Sequence, residues 1–364
     1  MVVFFLKPCK PGERQVVVGL PCVGGRSVSY FCLSLGLLLG LLLGIAGCSE
    51  GGYQGLSGST MGTYYRIQAN CPVQLSASAI DERLRRFNQV FSTYDPASEL
   101  SQLNLAQISQ WRKTSPELMD VLRTAVHINE ESAGAFDPTI GALVRLWGFG
   151  PGDPQKEPDA TEIGAAWART GFSVVQLDPG VPAIRSAEPR EFDLSAVAKG
   201  RAVDELSQSL EQLKCSAALV DIGGEIRVFG PSPRNGPWRL AIEQPGELSE
   251  GADPLPVLAI TEGAVATSGD YRNYRELDGQ RLSHLIDPRT ARPVAHGLAS
   301  VTVWHPEAMW ADGYATAINV LGPEQGQELS NRAKLAVAML IRTGDGRFRV
   351  WMSEAFEARF LGQD

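Results

Sequence analysis

The chain has 364 residues, of which 44% are hydrophobic and 20% charged, the balance of an ordinary globular protein with a sizeable core. Its formal net charge is −8, and this acidic excess argues against nucleic acid as a partner and against membrane binding through a basic patch. The length alone allows one large domain or two or three smaller ones.

The first 47 residues have the pattern of a secretory signal peptide. Four basic residues precede the apolar run FCLSLGLLLGLLLGIAG, which ends directly before Cys48. A plain transmembrane anchor is the alternative, since the run approaches the ~20 residues that span a bilayer. Small residues immediately before a cysteine favour processing instead. We therefore interpret residues 45–48 as a bacterial lipobox and Cys48 as the lipidated first residue of the mature chain.

Cleavage before Cys48 would leave 317 residues, with 29 basic and 40 acidic side chains and a net charge of −11. The lipid would anchor the protein in the bacterial cell envelope, with residues 48–60 as a flexible tether and a single domain over residues 61–364 in the periplasm. Cys71 and Cys215 remain in that domain. An oxidising compartment would allow them to pair, but they are so far apart in sequence that we expect them to be separate.

The sequence pattern predicts one strand followed by helices in the first half of the domain. The segment MGTYYRIQAN alternates and is rich in aromatic residues, as in a strand, and Ser115 followed by Pro116 marks a helix start. In chain order the predicted elements are a strand over 61–70 and helices over 76–95, 115–134, 138–150 and near 161–169.

The second half is rich in strands that follow each other without helices between them. This order favours a largely antiparallel sheet packed with helices, an α+β fold, over a doubly wound one. The predicted elements are a hairpin of 173–178 and 183–186, a helix over 196–214, strands over 217–230 around a Gly-Gly turn, strands near 238–243, 256–260, 264–268, 299–304, 335–342 and 347–352, and a helix over 309–322.

The predicted helix MWADGYATAINVLG is apolar nearly throughout but carries Asp312 and, four positions later, Thr316. Residues four apart lie on one face of a helix, so both side chains can contact one ligand. An ionised aspartate in apolar surroundings needs a charge partner or a metal ion, and two oxygen ligands suit Mg²⁺. The alternative is a polar helix edge at the surface.

Other candidate site residues stand at the starts of helices and in turns. Asp193 and Ser195 precede a helix that carries Lys199 one turn later, an arrangement that can bind an anion or can simply cap the helix. Asp137, directly before a proline, allows the same two interpretations. His284, predicted on a strand, is either a satisfied core residue or a general base. No CxxC or His-rich cluster indicates zinc or haem, so any metal should be held by oxygen atoms.

Taken together and in order, eight stretches resemble the ApbE family of FAD:protein FMN transferases. The resemblance runs from about Met61 to the C-terminus, and the lipobox agrees with it. The stretches are MGTYYRI, STYDPASELSQLN, GAFDPTIGALVRLWGFG, DLSAVAKGRAVD, LVDIGGEIRVFG, ATSGDYRNY, SHLIDPRTARPV and ADGYATA.

The resemblance implies a single catalytic domain related to the T-fold that uses FAD and Mg²⁺. It would transfer the FMN half of FAD to a Thr or Ser hydroxyl of a target flavoprotein and release AMP. It also implies roles for individual residues: Met61 and Tyr94 beside the flavin or adenine; Ala135, Phe136, Asp137, Asp193, Lys199 and Ile286 at FAD; Asp312, Thr316 and the backbone carbonyl of Ala196 at the metal; and His284 as the base.

Three other functions remain open at this point. The same site with water as acceptor would make a Mg²⁺-dependent FAD pyrophosphatase that yields FMN and AMP. A lipoprotein that binds FAD without catalysis could store or deliver it, and a membrane-tethered scaffold would need none of these motifs.

Overall fold

The computed structural model describes residues 52–106, 108–152, 157–242, 255–269, 274–277, 280–344 and 347–362. The predicted signal peptide over 1–47, the lipobox and Cys48 lie outside the described residues. Within those ranges, no helix is both long enough and apolar enough to cross a bilayer.

The order of helices and strands follows the sequence prediction over most of the chain. The helices are α1 (Ala77–Phe91), α2 (Glu99–Leu105), α3 (Pro116–Glu131), α4 (Gly141–Leu146), α5 (Ala160–Trp167), α6 (Ser195–Gln212), α7 (Ala308–Arg332) and α8 (Glu354–Phe360). The strands are β1 (Tyr53–Thr60), β2 (Thr63–Asn70), β3 (Arg112–Lys113), β4 (Val175–Leu177), β5 (Ala183–Ser186), β6 (Ala217–Ile222), β7 (Glu225–Phe229), β8 (Trp238–Ala241), β9 (Val257–Ile260), β10 (Glu262–Gly269), β11 (Tyr274–Leu277), β12 (Gln280–Ser283), β13 (Ile286–Asp287), β14 (Arg292–Pro293), β15 (Leu298–His305), β16 (Ala336–Arg342) and β17 (Phe348–Met352). The sequence pattern does not predict β1, α2, α8 or the short strands β3, β11, β13 and β14.

One central sheet organises the molecule. Its strand order is β1-β2-β6-β7-β10-β15-β16-β17, and every neighbouring pair in it is antiparallel. The predicted α+β fold with a largely antiparallel sheet is therefore confirmed.

The sheet is buried on both faces. On one face α1, α3, α6 and α7 contribute to the main core, while the hairpin of β8 and β9 together with α8 covers the other face. For this reason β6 is buried at every position, and its sequence AALVDI lacks the alternation of a half-exposed strand. Because both faces of the sheet are covered by apolar cores, a polar site is expected at the turns that connect the strand ends.

The predicted tether is wrong for Tyr53–Thr60, because these residues form β1 at the edge of the sheet. β1 pairs with β2 along its whole length, from Tyr53 opposite Asn70 to Thr60 opposite Thr63. The Gly- and Ser-rich sequence suggested a flexible segment, but backbone pairing does not require apolar side chains. Gly58 lies directly under the Tyr65 ring, where a Cβ atom would come within 2.5 Å of it. The folded domain therefore begins before residue 61.

The expectation that Cys71 and Cys215 are separate is also wrong, since they form a disulfide across 144 residues of sequence. Cys71 directly follows β2 and Cys215 precedes β6. These two strands pair antiparallel with Asn70 opposite Ala217, so the sheet register brings the two cysteines together. Separation in sequence carried no information on a contact that strand pairing created.

Helix α7, which carries Asp312, consists of two segments. The chain leaves helical geometry at Gly322, with φ of 78°, directly before Pro323. A proline inside a helix removes a backbone hydrogen bond and clashes with the preceding turn, which places the break there. The first segment, 308–321, thus holds Asp312 and Thr316 on one uninterrupted stretch of helix.

Candidate active site

The site is built where α6 crosses the first turns of α7. Gly200 on α6 faces the backbone of Ala308, and a Cβ atom at that position would lie 2.3 Å from the Ala308 carbonyl oxygen. Only glycine allows the two backbones to approach this closely. The contact brings the amino-terminal end of α6 next to Asp312.

Asp312 is buried, with 5% of its surface exposed. One carboxylate oxygen accepts a hydrogen bond from the Gly200 N–H at 3.0 Å, and the other lies 3.8 Å from Lys199 Nζ. Thr316 is partly exposed one turn further along the same helix. Of the two interpretations of this pair, the polar edge at the surface is wrong for Asp312, because the carboxylate faces α6 inside the protein.

The N–H of Gly200 also connects Asp312 to Ala196. In an α-helix this N–H points towards the carbonyl four residues earlier, which is that of Ala196, the second residue of α6. The same N–H donates to Asp312 on α7. The crossing of the two helices therefore brings Asp312 to the first two turns of α6, which also contain Ala196.

Glu225 belongs to this cluster, although sequence reasoning did not select it. It is 4% exposed at the start of β7, and its Oε1 lies 3.1 Å from Lys199 Nζ. Its Oε2 is buried and has no hydrogen-bond partner among the residues that the structure describes. The available signal in the sequence was an acidic residue directly after the Gly-Gly turn of a hairpin rich in apolar residues.

Burial and charge set the protonation of this cluster. Burial raises the pKa of Asp312 to about 7, although the ammonium of Lys199 acts in the opposite direction. Burial also disfavours the charged form of Lys199, but Asp312 and Glu225 outweigh it and raise the pKa of the amine. The cluster thus places the charged Lys199 ammonium between Asp312 and Glu225.

The turn between β6 and β7 uses glycine because its backbone is left-handed. Gly223 and Gly224 both have positive φ, of 63° and 109°. The Gly224 N–H donates to Asp221 Oδ1 at 3.0 Å, and burial raises the pKa of Asp221 to about 6. Met61 lies in the turn between β1 and β2, and the Gly223 N–H donates to the carbonyl of Tyr64, the second residue of β2. Met61 is therefore at the same end of the sheet as Glu225.

Asp193 and Asp137 organise their own loops. Asp193 Oδ1 accepts hydrogen bonds from the backbone N–H and the hydroxyl of Ser195, at 2.9 and 2.5 Å, where α6 begins. Asp137 Oδ1 likewise accepts from the N–H and hydroxyl of Thr139, at 2.8 and 2.6 Å. Burial raises the pKa of Asp137, while its bonds from Thr139 lower it. Both aspartates stabilise local turns, but neither caps a helix, because α6 and α4 begin without a side-chain cap hydrogen bond.

The segment with His284 meets the segment with Asp137 through a small apolar cluster. Ala135 packs with Leu285 and with Val320 of α7, and Phe136 is held by a hydrogen bond from Asn129 Nδ2 to its carbonyl at 2.6 Å. Three stretches that are far apart in sequence therefore converge beside α7.

His284 lies in a bend between β12 and β13, so its predicted place on a strand is wrong. The Ser283 hydroxyl accepts a hydrogen bond from the Leu285 N–H at 3.2 Å, a local turn that competes with strand pairing. The imidazole stands edge-to-face with Phe149 at 6.4 Å between ring centroids. Tyr94, 69% exposed, donates from its hydroxyl to the Phe149 carbonyl at 3.4 Å.

Two groups of expected site residues result. The first group lies on or directly before the crossing helices and consists of Asp193, Ala196, Lys199, Asp312 and Thr316. The second group lies in the two segments joined by the Ala135 cluster and consists of Ala135, Phe136, Asp137, His284 and Ile286. Tyr94 is connected to the second group through the Phe149 carbonyl, and Met61 lies apart from both groups in the β1–β2 turn. Ile286 is 4% exposed and packs with Trp147 and Ala291. Within the described ranges, no three His, Cys, Asp or Glu side chains are arranged to hold a metal ion.

Comparison with known proteins gives consistent results. The model of the ApbE family matches residues 61–341. Curated relatives named FAD:protein FMN transferase include those of Klebsiella pneumoniae, 38% identical over 85% of this chain and 89% of the relative, and Escherichia coli K12, 39% identical over the same shares.

Solved structures agree with the sequence matches. The flavin transferase ApbE from Vibrio cholerae matches with a TM-score of 0.77 and 36% identity, over 85% of this chain and 99% of that one. The apo form of the Pseudomonas stutzeri flavinyl transferase ApbE matches with a TM-score of 0.75 and 32% identity, over 85% and 96%.

Proposed function

Because the chain belongs to the ApbE family, we propose that it is an FAD:protein FMN transferase that attaches FMN to a Thr or Ser hydroxyl of target flavoproteins and releases AMP. The observation that carries the proposal is the buried Asp312, held by the Gly200 N–H beside Lys199. A buried carboxylate beside a helix start and a cation is suited to a charged phosphate substrate and its counter-ion.

The residues present fit Mg²⁺. The donors would be the Asp312 carboxylate, the Thr316 hydroxyl and the Ala196 carbonyl, all oxygen atoms, and Mg²⁺ prefers oxygen ligands and retains some of its waters. The buried Glu225 Oε2, without a partner among the described residues, adds negative charge nearby. When bound, Mg²⁺ supplies neutralisation of the charge on the FAD pyrophosphate.

The chain's own residues would position the pyrophosphate. The N–H groups at the start of α6 and the Lys199 ammonium provide positive charge beside Asp312. The loop with Ala135, Phe136 and Asp137, together with Ile286, Tyr94 and Met61, would hold the nucleotide and flavin. Such positioning contributes more to phosphoryl-type transfer than covalent help from the protein.

His284 is proposed as the base for the incoming hydroxyl. As the acceptor oxygen forms a bond to the phosphorus of the FMN half, the P–O bond to AMP breaks and the hydroxyl proton passes to an imidazole nitrogen. General-base help of this kind is typically worth roughly 10²–10⁴-fold. The place of His284 in a bend beside Phe149, close to the Ala135 cluster, supports this role.

One assay separates transfer from the alternatives. The full-length chain is incubated in mild detergent with FAD, Mg²⁺ and a flavoprotein domain that carries an acceptor Thr, and the same domain with that Thr replaced by Val is the control. Transfer gives flavin fluorescence in a denaturing gel and a matching mass gain on the Thr domain only. AMP and free FMN without labelling would establish the pyrophosphatase, and intact bound FAD the storage protein. Either outcome would overturn the proposal.

We also propose that the chain is lipidated at Cys48 and acts on the periplasmic side of the bacterial envelope. The Cys71–Cys215 disulfide supports this location, because disulfides persist in oxidising compartments. The mature protein should begin at Cys48 and carry its lipid in intact-mass measurements, and Cys48→Ser should lack both features. An unprocessed N-terminus in the wild-type protein would contradict the proposal.

A further inference from the structure

The first turn of α7 receives its cap from another helix. Glu307, the residue before α7, makes no side-chain hydrogen bond to the helix start. The N–H groups of Ala308 and Met309 donate instead to Oδ1 and Oδ2 of Asp204 on α6, both at 2.9 Å. One carboxylate therefore binds the first two N–H groups of the helix that carries Asp312.

Asp204 is buried where it contacts the start of α7. It is 1% exposed, and Arg227 on β7 places a guanidinium nitrogen 2.7 Å from its Oδ1. A buried carboxylate is costly unless it is paired and hydrogen-bonded. Here the guanidinium and the two N–H groups satisfy it, so its position relative to α7 is closely defined.

The hydrogen bonds of Asp204 form one of two connections between α6 and α7, and in each connection a carboxylate of one helix accepts from backbone N–H groups of the other. Gly200 and Asp204 are one turn apart on α6, and Ala308 and Asp312 are one turn apart on α7. The Gly200 N–H donates to Asp312, while Asp204 accepts from Ala308 and Met309. Two connections one turn apart restrict both the sliding and the rotation of α7 against α6.

From this arrangement we infer that Asp204 is a positioning residue for the metal ligands of the proposed function, on which the inference rests. By holding the start of α7, it keeps Asp312 and Thr316 aligned with the Ala196 carbonyl. Mg²⁺ requires near-ideal octahedral geometry, so a small displacement of α7 weakens its binding. Asp204 is not one of the expected metal ligands, because both of its carboxylate oxygens accept hydrogen bonds from the start of α7.

The test measures metal binding directly, in the full-length chain without FAD. Titration with Mn²⁺, followed by the EPR signal of the free ion, gives a Kd for the wild-type protein and for Asp204→Ala, Asp204→Asn and Asp312→Ala. Asp204→Ala should bind Mn²⁺ about 10–100-fold more weakly, the range for residues that support metal ligands. Asp204→Asn retains an acceptor oxygen and should restore part of the affinity.

Two control variants separate positioning from simple destabilisation. Ser207→Ala removes another buried polar group of α6, whose hydroxyl donates only to the Val203 carbonyl of the same helix. Phe356→Leu loosens the core on the opposite face of the sheet. Phe356→Leu should lower the melting temperature, and Ser207→Ala should change it little because alanine favours the helix; both should keep the wild-type Kd for Mn²⁺.

The outcomes are distinguishable. Wild-type affinity in Asp204→Ala, or a loss no larger than that of the two controls, would overturn the inference. If Asp312→Ala also binds Mn²⁺ normally, the metal site of the proposed function fails as well. If only Asp312→Ala loses the ion, the proposed site stands and the positioning role of Asp204 is wrong.

Discussion

Replacing Gly200 by alanine tests the helix crossing on which the site depends. The added methyl carbon would lie 2.3 Å from the Ala308 carbonyl oxygen and 2.7 Å from Met309 Cα. Ordinary van der Waals contact begins at 3.4 Å, so the start of α7 must move away by about 1.1 Å. Both obstacles are backbone atoms, which cannot rotate aside as a side chain can.

This displacement should disable the site more than it destabilises the fold. A hydrogen bond of 3.0 Å between Gly200 and Asp312 would lengthen to about 4 Å, beyond the range of hydrogen bonding. Overpacking typically costs about 1–3 kcal/mol, and alanine regains about 1 kcal/mol of helix propensity. The free energy of unfolding should therefore fall by only about 0–2 kcal/mol, while metal affinity and transfer fall about 10–100-fold.

The measurement compares Gly200→Ala with Gly164→Ala. Gly164 lies in α5, exposed, with no atom within 4 Å of its Cβ position, so the same substitution has room there. The control should be as stable as the wild type or slightly more stable, with unchanged transfer. Mn²⁺ affinity, flavin transfer and thermal unfolding are measured for both. Wild-type metal affinity and transfer in Gly200→Ala would refute the reasoning about the crossing.

Three further predictions concern single side chains. Asp312→Ala should abolish both Mg²⁺ binding and transfer; full activity in this variant, or in wild-type protein treated with EDTA, would contradict the metal assignment. His284→Ala should bind FAD normally but transfer FMN about 10²–10⁴-fold more slowly, and a normal turnover rate would exclude His284 as the base. Burial raises the pKa of Asp221 from 3.8 to about 6, so the folded protein binds this proton more tightly than the unfolded chain does. The protonated side chain therefore contributes to the free energy of unfolding below pH 3.8, and this contribution is lost as the pH rises through 6. Between pH 4 and 7, the free energy of unfolding of Asp221→Asn should rise relative to that of the wild type by up to about 3 kcal/mol. Thermal unfolding at several pH values measures this difference, and a difference that does not change with pH would refute the prediction.

Features that depend on neighbours in sequence were predictable from the chain alone. Ser115 accepts the Leu118 N–H at 3.1 Å and Pro116 opens α3, as the cap pattern indicated. Asp312 and Thr316 share a helix face because residues four apart always do. The resemblance to the ApbE family, which the family match confirms, likewise rests on short stretches in order along the chain.

Contacts between distant segments were not predictable in the same way. β1 was missed because its Gly and Ser residues carry no apolar pattern, while its partner β2 provides the pairing and the Tyr65 ring. Glu225 and Asp204 resemble ordinary surface acids in the sequence. Their burial follows from where Lys199 and the start of α7 lie in space.

The amino-acid sequence by itself determined the starts of α1 and α3, the Gly-Gly turn, the α+β class and the Asp312–Thr316 pair, because each depends on propensity or on helix geometry over a few residues. The tertiary structure alone decided that Cys71 meets Cys215, that Asp204 caps α7 and that Gly200 lets the two helices touch. Strand register and helix crossing join residues about a hundred or more positions apart, and no local pattern encodes those distances.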